Sequence, residues 1–291
     1  MSLFNFFKKK DNNIEFKEEI KEEEKQDIEQ QLPEEKEIPK NEDKQQNVKS
    51  KNIIGFPLLK ENIFDKEEFK SNFKKYWNME LTEENSKDEA LTFYVGDVMI
   101  GISLMPAPVP NQEAEKNAPY NYMWKEALEE VKKHKAHLLV IVFGNTSIID
   151  KSIVFVKVLS AICKSENTLG IYFNSITYEP NFYFECAKLI NENHFPIYNL
   201  VWFGLYKNNE GVNCSYTIGM HTFNKDEIEV IGNNTEFREI QDFTMNIASY
   251  IIIQNIVLKD GETIGFTEEQ KCKISYKKGL ILPFNTLQVY I

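Results

Sequence analysis

The stretch from Tyr216 to Gln270 constrains this chain most. Near its centre, Thr235–Asn255 sets Phe243, Ile247, Tyr250 and Ile251 at helical spacing, which predicts a long helix with one face in a core. The pattern changes on both sides. Val212–Phe223 and Glu227–Ile231 read as strands before the helix, and Ile256-Val257-Leu258 opens another after it. A helix with one apolar stripe must bury it against another layer, so the rest of the chain has to supply a sheet.

The upstream sequence offers the material for one. Ile53–Leu59 reads as a strand, and Asp65 then caps a helix through Phe69, Phe73, Tyr76 and Trp77. Residues 80–90 read as a polar loop. Leu91–Val95 and Val98–Met105 form a hairpin about Gly96-Asp97. The prolines at 106, 108 and 110 end the sheet. Tyr120–His134 is expected as one amphipathic helix, followed by the buried-type strand Leu138–Phe143. After a helix at Ser147–Lys164 the order recurs, with a strand at Leu169–Phe173, a helix at Pro180–Asn193 and a hairpin from Leu200–Lys207 to Val212–Phe223. The tail adds alternating segments at Leu280–Leu282 and Leu287–Ile291. The expected fold class is α+β with mostly antiparallel sheets, as one folded unit over 52–291. The doubled order β-α-β-β-α-β is open to reading as two tandem ferredoxin-like halves, 52–146 and 168–291, joined by the helix at 147–164. Gly55 and Gly170 in the matching strands would leave room for a close approach.

Residues 1–51 differ in kind. Residues 11–51 are a Glu/Lys/Gln/Asn tract with Pro33 and Pro39, too poor in apolar residues to offset ordering entropy, so a disordered tether is expected. It begins with Phe4, Phe6 and Phe7 followed by Lys8, Lys9 and Lys10, a short amphipathic start suited to weak contact with an anionic lipid surface or a partner groove.

Charge and motifs exclude several classes. The net charge is −11, and Arg238 is the only arginine, so no nucleic-acid partner is expected. Cys163, Cys186, Cys214 and Cys272 form no CxxC pair; reduced thiols in a cytoplasm, without metal, are the expectation. No apolar run reaches the roughly 18 residues of a membrane span. No GxGxxG, P-loop, GxSxG or HExxH occurs, so no cofactor is predicted.

Three groups of polar residues could carry chemistry. His221 could act as a general base oriented by Asp226, Glu227 or Asp260, against the alternative of a hydrogen-bonded sheet histidine. In a continuous strand His221 and Cys214 would point to opposite faces, which disfavours a Cys–His pair. Asp260 and Glu262 could form a carboxylate pair, but Asp260-Gly261 also reads as a tight turn. His134 and His137 would diverge, one ending a helix and the other entering a strand.

The chain resembles a bacterial family of uncharacterised domains, the domain-of-unknown-function family numbered 4261. The resemblance rests on Leu104–Pro110, Ala136–Val140, Gly170-Ile171-Tyr172 with Pro180, Tyr216–Met220, Glu227–Val230 and Asp260–Gly265, and spans most of 53–275. It implies a bacterial cytoplasmic setting and brings no established activity or catalytic residues. The leading expectation is a non-enzymatic cytoplasmic module that binds a protein partner. The alternatives are a small hydrolase-type enzyme with a site near His221 and Asp260, and an immunity-like antagonist in a bacterial toxin or stress system.

Overall fold

The computed structural model describes residues 51–87, 89–265 and 271–291. The expectations for residues 1–50, including the segment from Phe4 to Lys10, lie outside the described residues.

The chain is α+β, built on two mostly antiparallel sheets. The first sheet begins with β1 (Ile53–Leu59), after which Asp65 caps helix α1 (Lys66–Trp77) by accepting the Glu68 N–H at 2.9 Å. β2 (Thr82–Lys87), β3 (Ala90–Val95) and β4 (Val98–Met105) follow. Short helices α2 (Glu113–Asn117) and α3 (Ala127–Val131) lead to β5 (Ala136–Phe143). Then come α4 (Ile148–Ile162), β6 (Thr168–Phe173), β7 (Ile176–Tyr178) and α5 (Pro180–Ala187). The strand order is β2-β3-β4-β5-β1-β6-β7, with every neighbouring pair antiparallel.

That order explains where the core lies. Along β1, Ile53, Gly55 and Leu59 face α4, while Phe56 and Leu58 face the opposite way. A Cβ on Gly55 would stand 2.7 Å from the Phe155 ring of α4, so the glycine lets this helix lie close, as its mid-strand position predicts. The second face is covered by residues 106–134. Two buried histidines fasten this proline-rich cover. His134 accepts the Val109 N–H at 3.0 Å on Nε2, and the His137 Nδ1 lies 2.7 Å from the Ala107 carbonyl. The two rings therefore grip the same segment rather than diverging.

The second sheet follows α6 (Ile197–Leu200). Its strands are β8 (Trp202–Lys207), β9 (Asn213–Ile218), β10 (Ile228–Gly232), β11 (Thr263–Ile264), β12 (Cys272–Lys278) and β13 (Asn285–Tyr290). The order is β11-β12-β13-β10-β9-β8. β10 and β13 are parallel neighbours, and helix α7 (Phe237–Ile253) lies on the connection between them. α7 buries Ile240, Phe243, Ile247 and Ile251 against this sheet. It ends in a Schellman cap: Asn255 is left-handed at φ 52°, its N–H bonds the Ile252 carbonyl, and the Ile256 N–H bonds that of Ile251.

Several local expectations change. Residues 82–87 pair with β3 as an exposed edge strand instead of forming a loop. The single helix expected over 120–134 is a 3₁₀ turn at Ala118–Tyr120 and the short α3. Ile256–Leu258 is not a strand. A split βαβ contains parallel neighbours; the first sheet has none, so its strand order does not support a ferredoxin-like first half.

Leu280–Leu282, read from sequence as a strand, is a loop fastened from below. Glu229, in the middle of β10, is fully buried. One of its oxygens accepts the Leu280 N–H at 2.7 Å, and the other those of Ile281 and Leu282 at 3.2 and 3.1 Å. The Gln288 amide donates to the same carboxylate at 3.3 Å. Three backbone donors thus replace the water this charge lost. Glu229→Gln presents an NH₂ to donors and is expected to cost about 1.5–3 kcal/mol. Urea unfolding measures this; an unchanged midpoint would mean the clamp carries no stability.

Candidate functional site at the turn after β9

The expected strand 212–223 stops at Ile218, and Gly219 is the reason. Its φ of 123° is one that side-chain-bearing residues rarely adopt. Met220–Phe223 then forms a 3₁₀ turn closed by Asn224 at φ 56°. His221 is therefore on a turn and not on a strand face, so the face argument that separated it from Cys214 does not apply. Cys214 itself is buried within β9 and donates to the Val212 carbonyl, and burial pushes its thiol pKa up.

Glu227 organises this turn. It is 5% exposed. Its Oε2 accepts the Thr217 hydroxyl at 2.7 Å, and its Oε1 accepts the Gly219 N–H at 2.9 Å and lies 3.3 Å from His221 Nδ1. Of the three acids that could orient His221, Glu227 is the one in reach. The His221 side chain stays 61% exposed. The arrangement is a solvent-facing imidazole steered by a fixed, buried carboxylate, which is the geometry of a positioned base.

The first sheet also holds the turn. Asn174, at φ 50° in the tight β6–β7 hairpin, donates to the Thr222 hydroxyl at 3.0 Å and to the Leu200 carbonyl at 3.3 Å. Lys51, just before β1, donates to the His221 carbonyl at 3.0 Å. The turn sits where the two sheets meet.

Asp260 and Glu262 do other work. Asp260 accepts the Tyr276 N–H at 2.9 Å, Glu262 accepts the Lys259 N–H at 2.8 Å, and Gly261 between them has φ 83°. Both carboxylates cap their own turn. Among the described residues neither makes a hydrogen bond or ion pair to His221; of the acids weighed against that histidine, Glu227 makes the contact. Asp226 points elsewhere and bonds Tyr276, whose hydroxyl partly counters the rise in the Asp226 pKa.

Two small cavities, about 20 Å³ beneath α1 and about 10 Å³ beside Trp202, are lined by none of these residues. Ligand pockets run to roughly 300–1,000 Å³. Among the described residues no three His, Cys, Asp or Glu side chains gather as a metal site requires, and no helix is long and apolar enough to cross a membrane. All four cysteines are unpaired and buried.

The comparisons with known proteins fall on this same region. Residues 216–290 match the family described as a domain of unknown function, DUF4261. The segment is similar to that family over β9, the His221 turn, α7 and the closing strands, which bears out the resemblance read from the sequence there. No curated protein and no solved structure matches the chain.

Sequence reasoning had named Glu227 only as one of three choices and had not singled out Glu229. A glutamate at every second position of a strand reads as the solvent face, and nothing in the pattern marks it as buried. Two predictions follow from the geometry. Gly219→Ala would place its Cβ 2.5 Å from the Leu200 carbonyl at an unfavourable φ, and is expected to lower stability by about 1–3 kcal/mol in a thermal melt. The Asp226 pKa is raised, first by burial and then by the charge of Glu227. Such a carboxyl favours folding below its unfolded pKa, and the contribution is lost as pH rises through the folded one. Asp226→Asn should therefore match the parent in acid below about pH 3.9 and be the more stable protein at neutral pH. Unfolding midpoints across that range check the sign.

Proposed function

We propose that this chain is a non-enzymatic cytoplasmic module that binds a protein partner through the outer face of α7. The observation that carries the reading is the exposed stripe Tyr250, Ile253 and Val257, at 48%, 49% and 66% exposure. Tyr250 and Ile253 stand one turn apart on α7, and Val257 follows just beyond its cap. The opposite face of the helix is in the core, and on the outer face about half or more of each of these side chains is left uncovered by the described residues. An apolar patch of this kind suits contact with another protein. The stripe adjoins the His221 turn, because Lys225 donates to Asn255 at 2.8 Å. It also lies within the segment that matches the family.

One observation favours a second reading, a hydrolase-type enzyme using His221 as base: the 3.3 Å approach of Glu227 to the imidazole. The two readings separate by mutation. Affinity purification of the full chain from native cells should retain a partner that Tyr250→Glu/Ile253→Asp loses, with the unfolding midpoint unchanged, while His221→Asn retains it. Equal capture by the double variant, or no capture at all, sinks the module reading. An ester or phosphoester hydrolysis rate abolished by both His221→Asn and Glu227→Gln would establish the enzyme.

A further inference from the structure

The helices that cover the first sheet carry a charge pattern at odds with the rest of the chain. At the end of α1, the Lys75 ammonium lies 4.9 Å from the Tyr76 ring centre. From α4, Lys157 sits 5.6 Å over Trp77, and Lys164, just past its end, sits 4.5 Å over Phe184 and 5.8 Å over Tyr76. Tyr76 and Phe184 themselves meet edge to face at 4.8 Å, joining α1 to α5. Neighbouring lysines are neutralised, Lys74 by Glu80 at 2.6 Å and Lys188 by Glu185. Lys75, Lys157 and Lys164 have no carboxylate partner among the described residues. Three ammoniums without carboxylate partners, over Tyr76, Trp77 and Phe184, form a local positive face on a chain of net charge −11.

We propose that this face docks the chain's own acidic segment Glu34–Asp43. Charge complementarity supports it: the segment carries five carboxylates, Glu34, Glu35, Glu37, Glu42 and Asp43, against Lys36 and Lys40. The geometry allows it. Lys51, from which the segment extends, is fixed at the start of α4, because Lys151 donates to its carbonyl at 2.6 Å. From Lys151 to Ile162, the end of α4, the helix runs about 17 Å at its usual rise, and Lys164 follows two residues on. The fourteen residues from Glu37 to Lys51 can extend to about 45 Å. The acidic segment therefore reaches the lysines with length to spare, and an acidic partner would compete with it for the same face.

Carbodiimide coupling of the full chain, read by mass spectrometry, tests this. It joins a carboxylate to a lysine amine only where the two are in contact. The expected result at low ionic strength is a link from Glu34, Glu35 or Glu37 to Lys75 or Lys164 within the monomer. These links should disappear in 1 M salt, where screening acts within about 3 Å. They should also disappear in Lys75→Gln/Lys164→Gln. The variant Glu34→Gln/Glu35→Gln/Glu37→Gln, changed outside the described fold, should lose them with the unfolding midpoint unaltered. Equal linking to Lys132, which lies on the cover of the opposite sheet face, overturns the proposal. So do links found only in covalent dimers, or none at all.

Discussion

Two buried carboxylates, Glu227 and Glu229, set the form of the second sheet. Neither is neutralised by a lysine or arginine in the described contacts. Each is instead solvated by the protein's own N–H and O–H groups, Glu227 by Thr217 and Gly219, and Glu229 by Leu280, Ile281, Leu282 and Gln288. A buried charge is tolerable only when such donors satisfy it. The backbone around each is correspondingly committed. The chain must leave β9 through Gly219 to bring its amide to Glu227, and the β12–β13 connection must fold inward to present three successive amides to Glu229. Because β10 lies between β9 and β13, one short segment fixes both connections.

That commitment explains the character of the surface. The carboxylate that fixes the turn is inside, and the imidazole it steers is outside. The positioned side chain is therefore presented to solvent at the place where contacts from the first sheet meet the second. The adjoining stripe on α7 has the same origin. Asn255 ends the helix with a left-handed cap, and the chain continues with Val257 exposed, so that among the described residues Tyr250 and Ile253 stay about half uncovered.

Much of the fold was legible because it is local. Ile53–Leu59, the Asp65-capped α1, the Gly96-Asp97 hairpin, α4 and α7 follow from periodicity and caps, and appear within a few residues of where the pattern puts them. The polar strand Thr82–Lys87 was not legible. It lies at a sheet edge exposed on both faces, so backbone pairing with β3 holds it and no apolar alternation marks it. Leu280–Leu282 misled in the opposite sense: its apolar run is drawn inward by amides, not by side chains. The candidate site was half legible. His221 stood out in the sequence, but the group it contacts depended on a conformation that Gly219 alone decides. Strand order, which places β5 between β4 and β1, rests on long-range pairing that no window of sequence contains.

The described chain begins at a point that joins these features. The Lys51 carbonyl accepts from Lys151 of α4, and its ammonium donates to the carbonyl of His221. One residue is thus tied both to α4 and to the turn that carries His221. The ammonium contact is exposed and worth little by itself, whereas the contact from Lys151 is made by a lysine with no exposed surface. The turn therefore depends on Lys51 less than on Glu227 and Asn174, which hold it from the second and the first sheet.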